Sequence, residues 1–238
     1  MTSILAIDTS TTACSVALQC HGRTICRSSL EPRSHSQLLM TMVHEVLEES
    51  KSSLSQLDAI AITVGPGSFT GLRIGFATVQ GLAYAADIPV VPVSTLQVIV
   101  ATYLRTCATP KITQGAEIIA LLDARMSEYS VGCYRIVDGC EIELVADDQL
   151  LTDQQALALI DTTKPFALVG DAEQLLAQQP QLKPLYQPIY PQAQDILPFA
   201  KTVVQQGGAV PVETVDLVYL RGAEAWQKRK RLRANRED

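Results

Sequence analysis

The 238-residue chain has few of the side chains from which catalytic, metal-binding and nucleic-acid-binding sites are usually built. Its three histidines are His21, His35 and His44, and none lies four residues from another, so there is no helical His-x-x-x-His pair for a metal ion. Four Phe and one Trp leave little for stacking on bases, which argues against a sequence-reading RNA-binding module. No serine lies in a G-x-S-x-G elbow. These absences disfavour most self-sufficient enzymes.

Long apolar runs and closely paired cysteines are missing as well. No apolar stretch approaches the roughly 20 residues of a membrane span, and Met1 leads into a strand-like segment without a basic leader. We therefore expect a cytoplasmic globular protein without a signal peptide. The six cysteines contain no C-x-x-C pair, which favours reduced thiols over a zinc site or a disulfide framework. They are Cys14, Cys20, Cys26, Cys107, Cys133 and Cys140.

Charge is distributed unevenly along the chain. The net charge is −6, but six of the 19 basic residues and two of the 25 acidic residues follow Trp226. Residues 1–226 therefore carry 13 basic and 23 acidic groups, a net of −10, and should repel a polyanion. Only the basic tail could touch RNA phosphates, as a salt-sensitive and sequence-blind contact, and the alternative is a solvated terminus. The six basic residues are Lys228, Arg229, Lys230, Arg231, Arg233 and Arg236.

One segment couples a predicted strand to a glycine turn and a helix. The β-branched run at 59–64 ends abruptly at Gly65-Pro66-Gly67, and Ser68 or Thr70 can cap a helix over 70–86. A strand, a glycine turn and a helix N-terminus form a phosphate-type site in outline, because backbone N–H groups can approach an anion closely there. The alternative is a strand-to-helix turn whose glycines serve packing alone.

The N-terminal half has the element order of a ribonuclease-H-like unit. Its first predicted strand ends in Asp8-Thr9-Ser10, a carboxylate followed by two hydroxyls. In the actin, sugar-kinase and Hsp70 group, two such units face each other across a nucleotide cleft into which the acidic end of the first strand points. The predicted elements are strands at 3–8, 14–18 and 23–30, a helix at 35–50, the strand at 59–64, the helix at 70–86 and a strand at 89–92.

The second half is less regular but repeats the mixture of strands and helices. Strands are predicted at 117–123, 129–137, 141–145 and 166–170, and helices at 152–160, 171–179 and 193–206. Prolines between 180 and 191 indicate an extended crossing. We predict a first lobe over 1–98, completed by the helix near 193–206, a second, reduced lobe over 99–192, and a C-terminal segment over 207–238 with the basic tail.

Several motifs closely resemble the TsaB (YeaZ) family, and the resemblance covers nearly the whole chain. They are Ile4-Leu-Ala-Ile-Asp8-Thr9-Ser10, Gly65-Pro-Gly-Ser-Phe-Thr-Gly-Leu-Arg73-Ile-Gly75, Val93-Ser94-Thr95-Leu96, Asp123-Ala-Arg125-Met126 and Val218-Tyr219-Leu220-Arg221, with Trp226. The resemblance implies an α/β fold of two ribonuclease-H-like lobes in the actin/sugar-kinase/Hsp70 (ASKHA) superfamily. It also implies a non-catalytic subunit that binds and activates TsaD.

That resemblance implies a pathway and partners too. The pathway forms N6-threonylcarbamoyladenosine at position 37 of tRNAs that read codons beginning with A. The expected partners are TsaD, a second copy of the chain in a homodimer, and TsaE as a further subunit. Contact with tRNA is expected only indirectly or through the basic tail, and no cofactor is expected.

The residues themselves argue against a metal centre. The resemblance places the two metal-binding histidines of TsaD at Thr95 and Ile99, and isoleucine cannot be a ligand. His44 and Glu48 resemble a zinc-protease helix that has lost its second histidine, and a solvated helix face is the alternative that we favour. We predict no metal and no catalytic residue.

A residual nucleotide site is the candidate for small-molecule binding. The first lobe offers hydroxyls without a glycine after Asp8, side chains replace the expected glycines after Asp123, and Gly170 stands alone where an adenosine-binding turn usually has two. ATP binding is therefore doubtful, and Asp8 and Asp123 are predicted to cap turns rather than to form a carboxylate pair across a cleft. The candidate residues are Asp8, Thr9, Ser10, Gly65, Gly67, Ser68 and Asp123. An ATP-dependent phosphotransferase or an M22-type metallopeptidase remains the alternative function.

A partner surface is predicted on the two helices of the first lobe. Apolar residues spread too widely around both helices to cover a single sheet face, so part of that apolar surface should meet another molecule. The alternative is that the late helix at 193–206 covers both. The predicted interface residues are Leu38, Leu39, Met42, Val43, Val46, Arg73, Phe76, Ala77, Gln80 and Tyr84.

Overall fold

A computed structural model describes residues 2–31, 35–107, 115–138, 141–160, 166–177 and 179–221. The predicted basic tail, Trp226 and Cys140 lie outside these residues. The five cysteines within the described part form no disulfide. No helix of the described part is long and apolar enough to cross a membrane.

The first lobe is built on a five-stranded sheet in the order β3-β2-β1-β4-β5. Strand β1 pairs antiparallel with β2 and parallel with β4, and every residue of β1 and β4 is buried. Continuous apolar runs of this kind are expected of central strands that are covered on both faces. The strands are β1 (Ile4–Asp8), β2 (Cys14–Cys20), β3 (Arg23–Ser29), β4 (Ala59–Gly65) and β5 (Val90–Ser94).

Helices cover both faces of this sheet. On one face, α1 (His35–Ser50) and α2 (Phe69–Ala86) share a core with side chains of β1, β2 and β4. On the other face, α6 (Leu197–Gln205) packs against small and branched residues of the same strands. The late helix therefore does not cover α1 and α2, and the alternative that it does is wrong, because α6 lies on the opposite face.

The second lobe repeats the strand arrangement in a sheet ordered β10-β9-β6-β7-β8. Strand β6 is antiparallel to β7 and parallel to β9, as β1 is to β2 and β4. The sheet is complete, and the reduction predicted for this lobe falls on its helices, α4 (Asp153–Ala158) and α5 (Glu173–Ala177). The strands are β6 (Glu117–Arg125), β7 (Glu128–Asp138), β8 (Glu141–Thr152), β9 (Phe166–Asp171) and β10 (Tyr186–Pro188).

Helix α3 (Thr95–Thr106) connects the lobes, and its apolar side packs into the core of the second sheet. The predicted division between residues 98 and 99 would fall inside this helix, so the lobe boundaries remain a prediction. The predicted fold class is confirmed by the two sheets with the strand order of ribonuclease-H-like units. Several elements differ from expectation. Helix α3 was not predicted, β8 runs on to Thr152, and β10 lies in the segment predicted to be an extended crossing. Helices α4, α5 and α6 are shorter than predicted.

The glycine turn fixes the start of α2. Ser68 is the N-cap, and its hydroxyl accepts a hydrogen bond from the Gly71 amide at 3.3 Å, which decides between the two caps offered by the sequence. Gly71 packs so closely on Thr9 that a Cβ would overlap the Thr9 carbonyl oxygen. Gly81, farther along the same helix, has open space around the corresponding position.

We expect Gly71→Ala to lower the free energy of unfolding by about 1–3 kcal/mol, because overpacking against backbone forces the two turns apart. Gly81→Ala is the matched control in the same helix, and it should leave stability unchanged or raise it by up to ~1 kcal/mol through helix propensity. Urea unfolding followed by circular dichroism measures both. Equal stability of the two variants would contradict the packing role of Gly71.

Candidate functional site

The first turn of the chain is organised by a fully buried carboxylate. Asp8 Oδ1 accepts hydrogen bonds from the Ser10 hydroxyl and from the Thr63 hydroxyl, each at 2.6 Å, and a longer one from the Ser10 amide at 3.3 Å. Asp8 Oδ2 has no hydrogen-bond partner among the described residues. All of these donors belong to the first lobe, so Asp8 organises its own turn, the role predicted for it.

The glycine turn after β4 is filled by this same segment of the protein. The Ser68 amide donates to the Ser10 carbonyl at 2.7 Å, and the Thr9 hydroxyl donates to the Gly71 carbonyl at 2.8 Å. A Cβ at Gly67 would overlap the Ser10 carbonyl oxygen. Backbone atoms of residues 9 and 10 therefore occupy the space beside the glycines in which an anion was predicted to bind. In the structure, Gly67 and Gly71 allow two segments of the chain to pack closely, as the alternative interpretation predicted.

The corresponding turns of the second lobe are satisfied internally in the same way. Asp123 Oδ1 accepts a hydrogen bond from the Arg125 amide at 2.7 Å and so caps the β6–β7 turn. The Tyr186 hydroxyl donates to the Gly170 carbonyl at 2.8 Å and accepts from the Ala172 amide at 3.1 Å. Six of the seven candidate nucleotide residues, all except Asp123, lie at the ends of β1 and β4 and in the turns that follow these strands in the first lobe.

The positions considered for a metal site do not form a ligand group among the described residues. Thr95 and Ile99 are fully buried, and Ile99 belongs to the apolar core of the second lobe. His44 lies on an exposed helix face with its Nδ1 3.7 Å from Glu48, and His35 Nε2 lies 3.2 Å from the Ala13 carbonyl. In the part of the chain that the structure describes, no three His, Cys, Asp or Glu side chains come together as metal ligands would.

The predicted partner interface needs one correction. Four of its ten residues pack inside the first lobe, where no partner can reach them, because α1 turns that side toward the sheet. These four are Leu39, Met42, Val43 and Val46. Leu38 and Phe76 are partly buried against the same core.

The remaining predicted interface residues form an exposed stripe on α2. Arg73, Ala77, Gln80 and Tyr84 recur at intervals of three or four residues and are all exposed, with Tyr84 68% accessible. Met40 of α1, 50% accessible, lies beside this stripe. Met40, Ala77, Thr78, Gly81 and Leu82 line a shallow depression between the two helices. We call Met40, Arg73, Ala77, Gln80, Gly81 and Tyr84 the α1/α2 face.

An exposed cation–aromatic cluster, which the sequence did not predict, stands at the N-terminal end of this face. The Arg73 guanidinium carbon lies 3.7 Å from the centre of the Phe69 ring, and its Nε donates to the Tyr219 hydroxyl at 3.2 Å. The Phe69 and Tyr219 rings are 5.4 Å apart. The signal in the sequence was that Phe69 and Arg73 lie in one family motif and Tyr219 in another. Because 146 residues separate Arg73 from Tyr219, the sequence did not show that they meet.

The buried carboxylate gives the first lobe a pH dependence. Burial raises the pKa of Asp8 from its ordinary value of 3.8 to about 6, and the hydrogen bonds from Ser10 and Thr63 and the nearby His35 only partly oppose this. The folded state therefore holds a proton that the unfolded chain has lost between these two values. The resulting stability is greatest below the unfolded pKa and is lost as the pH rises through the folded one.

We expect Asp8→Asn to remove this loss. Between about pH 4 and about pH 7 the wild type should lose up to about 3 kcal/mol of unfolding free energy that the variant keeps, because its amide does not titrate. Denaturant unfolding at several pH values measures the difference. Asp87→Asn is the control, since Asp87 is exposed and asparagine tolerates its left-handed backbone conformation. Parallel pH profiles of wild type and Asp8→Asn would contradict the assignment.

Comparison with known proteins identifies the family. Residues 29–197 match the family model for TsaD, tRNA N6-adenosine threonylcarbamoyltransferase. The chain is 35% identical over 234 residues to the tRNA threonylcarbamoyladenosine biosynthesis protein TsaB of Escherichia coli K12, covering 94% of this chain and 97% of the relative. The TsaB protein of Bacillus subtilis is 29% identical over 169 residues, 71% of this chain and 70% of its own length.

Solved structures agree. YeaZ from Pseudomonas aeruginosa superposes with a TM-score of 0.81 at 34% identity over 92% of this chain and 100% of its own. A second structure, described as an uncharacterized protein with similarity to peptidase YeaZ from Pseudomonas aeruginosa, gives 0.81 at 36% identity over 93% and 100%. Near-complete coverage in both directions means that the two lobes are shared. The chain belongs to the TsaB (YeaZ) branch of the TsaD-type family, whose named members act in tRNA threonylcarbamoyladenosine biosynthesis.

Proposed function

We propose that this chain is a non-catalytic subunit that binds and activates TsaD in the formation of N6-threonylcarbamoyladenosine. The proposed products are tRNAs modified at position 37 that read codons beginning with A. Family membership supports the pathway, since the E. coli and B. subtilis relatives are named as its biosynthesis proteins. The match to the TsaD model over residues 29–197 supports pairing between two proteins of one fold.

The observation that carries the proposal is the exposed α1/α2 face. Its only charged member is Arg73, while Met40, Ala77 and Gly81 offer apolar or small surface for a partner, and Tyr84 adds an exposed ring whose hydroxyl bonds to Glu213. Gly81 is open to the outside and would let the backbone of a partner helix approach. The body of the chain is acidic, so a protein partner suits this face better than a polyanion does.

The closed turns support the non-catalytic part of the proposal. Phosphate-binding loops work by pointing free backbone N–H groups at an anion. Here the Ser68 amide is already bonded to the Ser10 carbonyl, and the Gly71 amide is bonded to the Ser68 hydroxyl. Among the described residues, no group of His, Cys, Asp and Glu side chains offers the metal site of a metallopeptidase.

The proposal extends to assembly. A second copy of the chain would use the same face, so TsaD should compete with a homodimer and dissociate it. TsaE is proposed as a further subunit of the assembled complex in the cytoplasm. Contact with tRNA is assigned to the partner or to the basic tail at 228–236, whose six cations exceed its acidic neighbours Glu237 and Asp238.

We expect the purified chain alone to transfer no threonylcarbamoyl group to tRNA, because the positions of the TsaD metal ligands hold Thr95 and Ile99. Addition of TsaD and the other pathway proteins should restore the modification. Mass spectrometry of nucleosides from the treated tRNA measures both reactions. Modification by this chain without TsaD would overturn the proposed role.

We expect Met40→Glu to weaken TsaD binding by at least about tenfold, since it would place an unpaired charge in an apolar contact. Leu144→Glu is the matched control: Leu144 is 48% accessible, close to the 50% of Met40, but lies on β8 of the second lobe. Calorimetric titration of TsaD with each folded variant gives the affinities. Sedimentation of the variants without TsaD tests the homodimer.

Three outcomes are distinguishable. Weakened binding by Met40→Glu alone supports the α1/α2 face as the TsaD site. Equal affinities for both variants and the wild type would contradict it. Weakened binding by Leu144→Glu alone would move the site to the second lobe and would leave the proposed activation of TsaD in place.

A further inference from the structure

We propose that the segment from Val210 to Arg221, which we call the strap, is a latch that holds the two lobes in one fixed relative orientation. The proposal is independent of the partner assigned above. It rests on contacts that the strap makes first with one lobe and then, within four residues, with the other.

The strap is anchored on the first lobe along most of its length. Val210 and Val90 exchange two backbone hydrogen bonds, at 2.7 and 2.9 Å. Val212 and Val215 are buried in the core beneath α2. The Val218 amide then donates to the Val64 carbonyl at 2.8 Å. This part of the strap can leave the first lobe only if these backbone hydrogen bonds and core contacts break.

The next contacts fix the strap to the start of α2. The Val218 carbonyl oxygen lies so close to Gly65 that a Cβ there would overlap it. The Tyr219 ring lies tilted against Phe69, at an interplanar angle of 46°, and its hydroxyl accepts the hydrogen bond from Arg73. The direction of the chain between residues 218 and 219 is therefore set by the first lobe.

Arg221 reaches the second lobe. Its Nη2 donates to the carbonyl oxygens of Ala124 and Arg125, at 3.1 and 3.0 Å, and it forms an ion pair with Glu128. Its Nη1 lies 3.3 Å from the sulfur of Met126. The two terminal nitrogens of one guanidinium thus contact four acceptors of the β6–β7 turn.

The turn that receives Arg221 is unusual. Arg125, Met126 and Ser127 are consecutive and all have positive φ, at 69°, 59° and 58°. Left-handed conformations of residues other than glycine are unfavourable and persist when surrounding contacts impose them. Arg221 bonds to two carbonyls at the start of this turn, so the strap and the β6–β7 turn stabilise each other.

Two residues separate Val218 from Arg221, and the three Cα–Cα steps between them span at most about 10 Å. The lobes cannot separate at this point without breaking either the Val218 bond to the first lobe or the Arg221 bonds to the second.

Other described links between the lobes lie along α3, where the chain itself connects them. The Ser94 hydroxyl donates to Asp148 at 2.7 Å, and Thr102 and Arg105 of α3 bond to Asp195, which lies in a segment that packs on the first sheet. Two-lobed proteins open by hinge motion by default, and the strap opposes it.

Nuclear magnetic resonance of the full chain tests this directly. Backbone residual dipolar couplings, fitted separately for the strands of each sheet, report whether both lobes align as one body. The wild type should give one alignment tensor for both lobes. In Arg221→Ala the alignment tensor of the second lobe should be smaller in magnitude than that of the first lobe, because the second lobe then samples several orientations.

Arg135→Ala is the matched control. Arg135 also pairs with a glutamate, Glu117 at 3.0 Å, but both residues belong to the second lobe. Arg135→Ala should leave one alignment tensor for both lobes. Glu128→Gln is a milder variant that keeps the fold if Arg221→Ala does not, and it should shift the second-lobe tensor in the same direction. A single unchanged tensor in the folded variant, or two different tensors in the wild type, would overturn the latch.

Discussion

The contact between two turns, one after β1 and one after β4, is the constraint on which the rest of the first lobe depends. Thr9 and Ser10 pack against Gly67 and Gly71 so closely that any side chain at either glycine would collide with backbone. This contact fixes the start of α2 over the sheet. It also engages the Ser68 amide, one of the backbone groups that an open glycine turn would present to an anion.

The close packing of the two turns buries the Asp8 carboxylate, which is energetically unfavourable. The carboxylate is withdrawn from water and raised in pKa, and two short hydroxyl hydrogen bonds offset only part of the desolvation. Structural carboxylates of this kind are familiar in turns, and perturbed pKa values are not confined to catalytic groups. Because all the described donors belong to the first lobe, the perturbed pKa of Asp8 fits a structural role without a second-lobe partner.

The two lobes share a strand order but are used differently. In the first lobe, the inner sides of α1 and α2 pack into the lobe's own core. The outer side of α2 is exposed, with Arg73 at one end and Tyr84 at the other. The second lobe has short helices and a complete sheet, and its β6–β7 turn receives Arg221 from the strap. The exposed helix face and the cross-lobe contact therefore lie on one continuous piece of structure, joined through Arg73 and Tyr219.

The sequence by itself determined the fold class, the positions of nearly all helices and strands, and the family. Periodicity and glycine signals are local, so they predicted α1 at 35–50 without error and α2 to within one residue at its start. The sequence could not decide which apolar side of α1 faces the core, because Met40 and Met42 have the same hydropathy but opposite environments. Nor could it show that Ser10 fills the glycine turn, or that Tyr219 and Arg221 tie distant segments together. These are long-range contacts that depend on how sheets, helices and strap are assembled, and only the tertiary structure decides them.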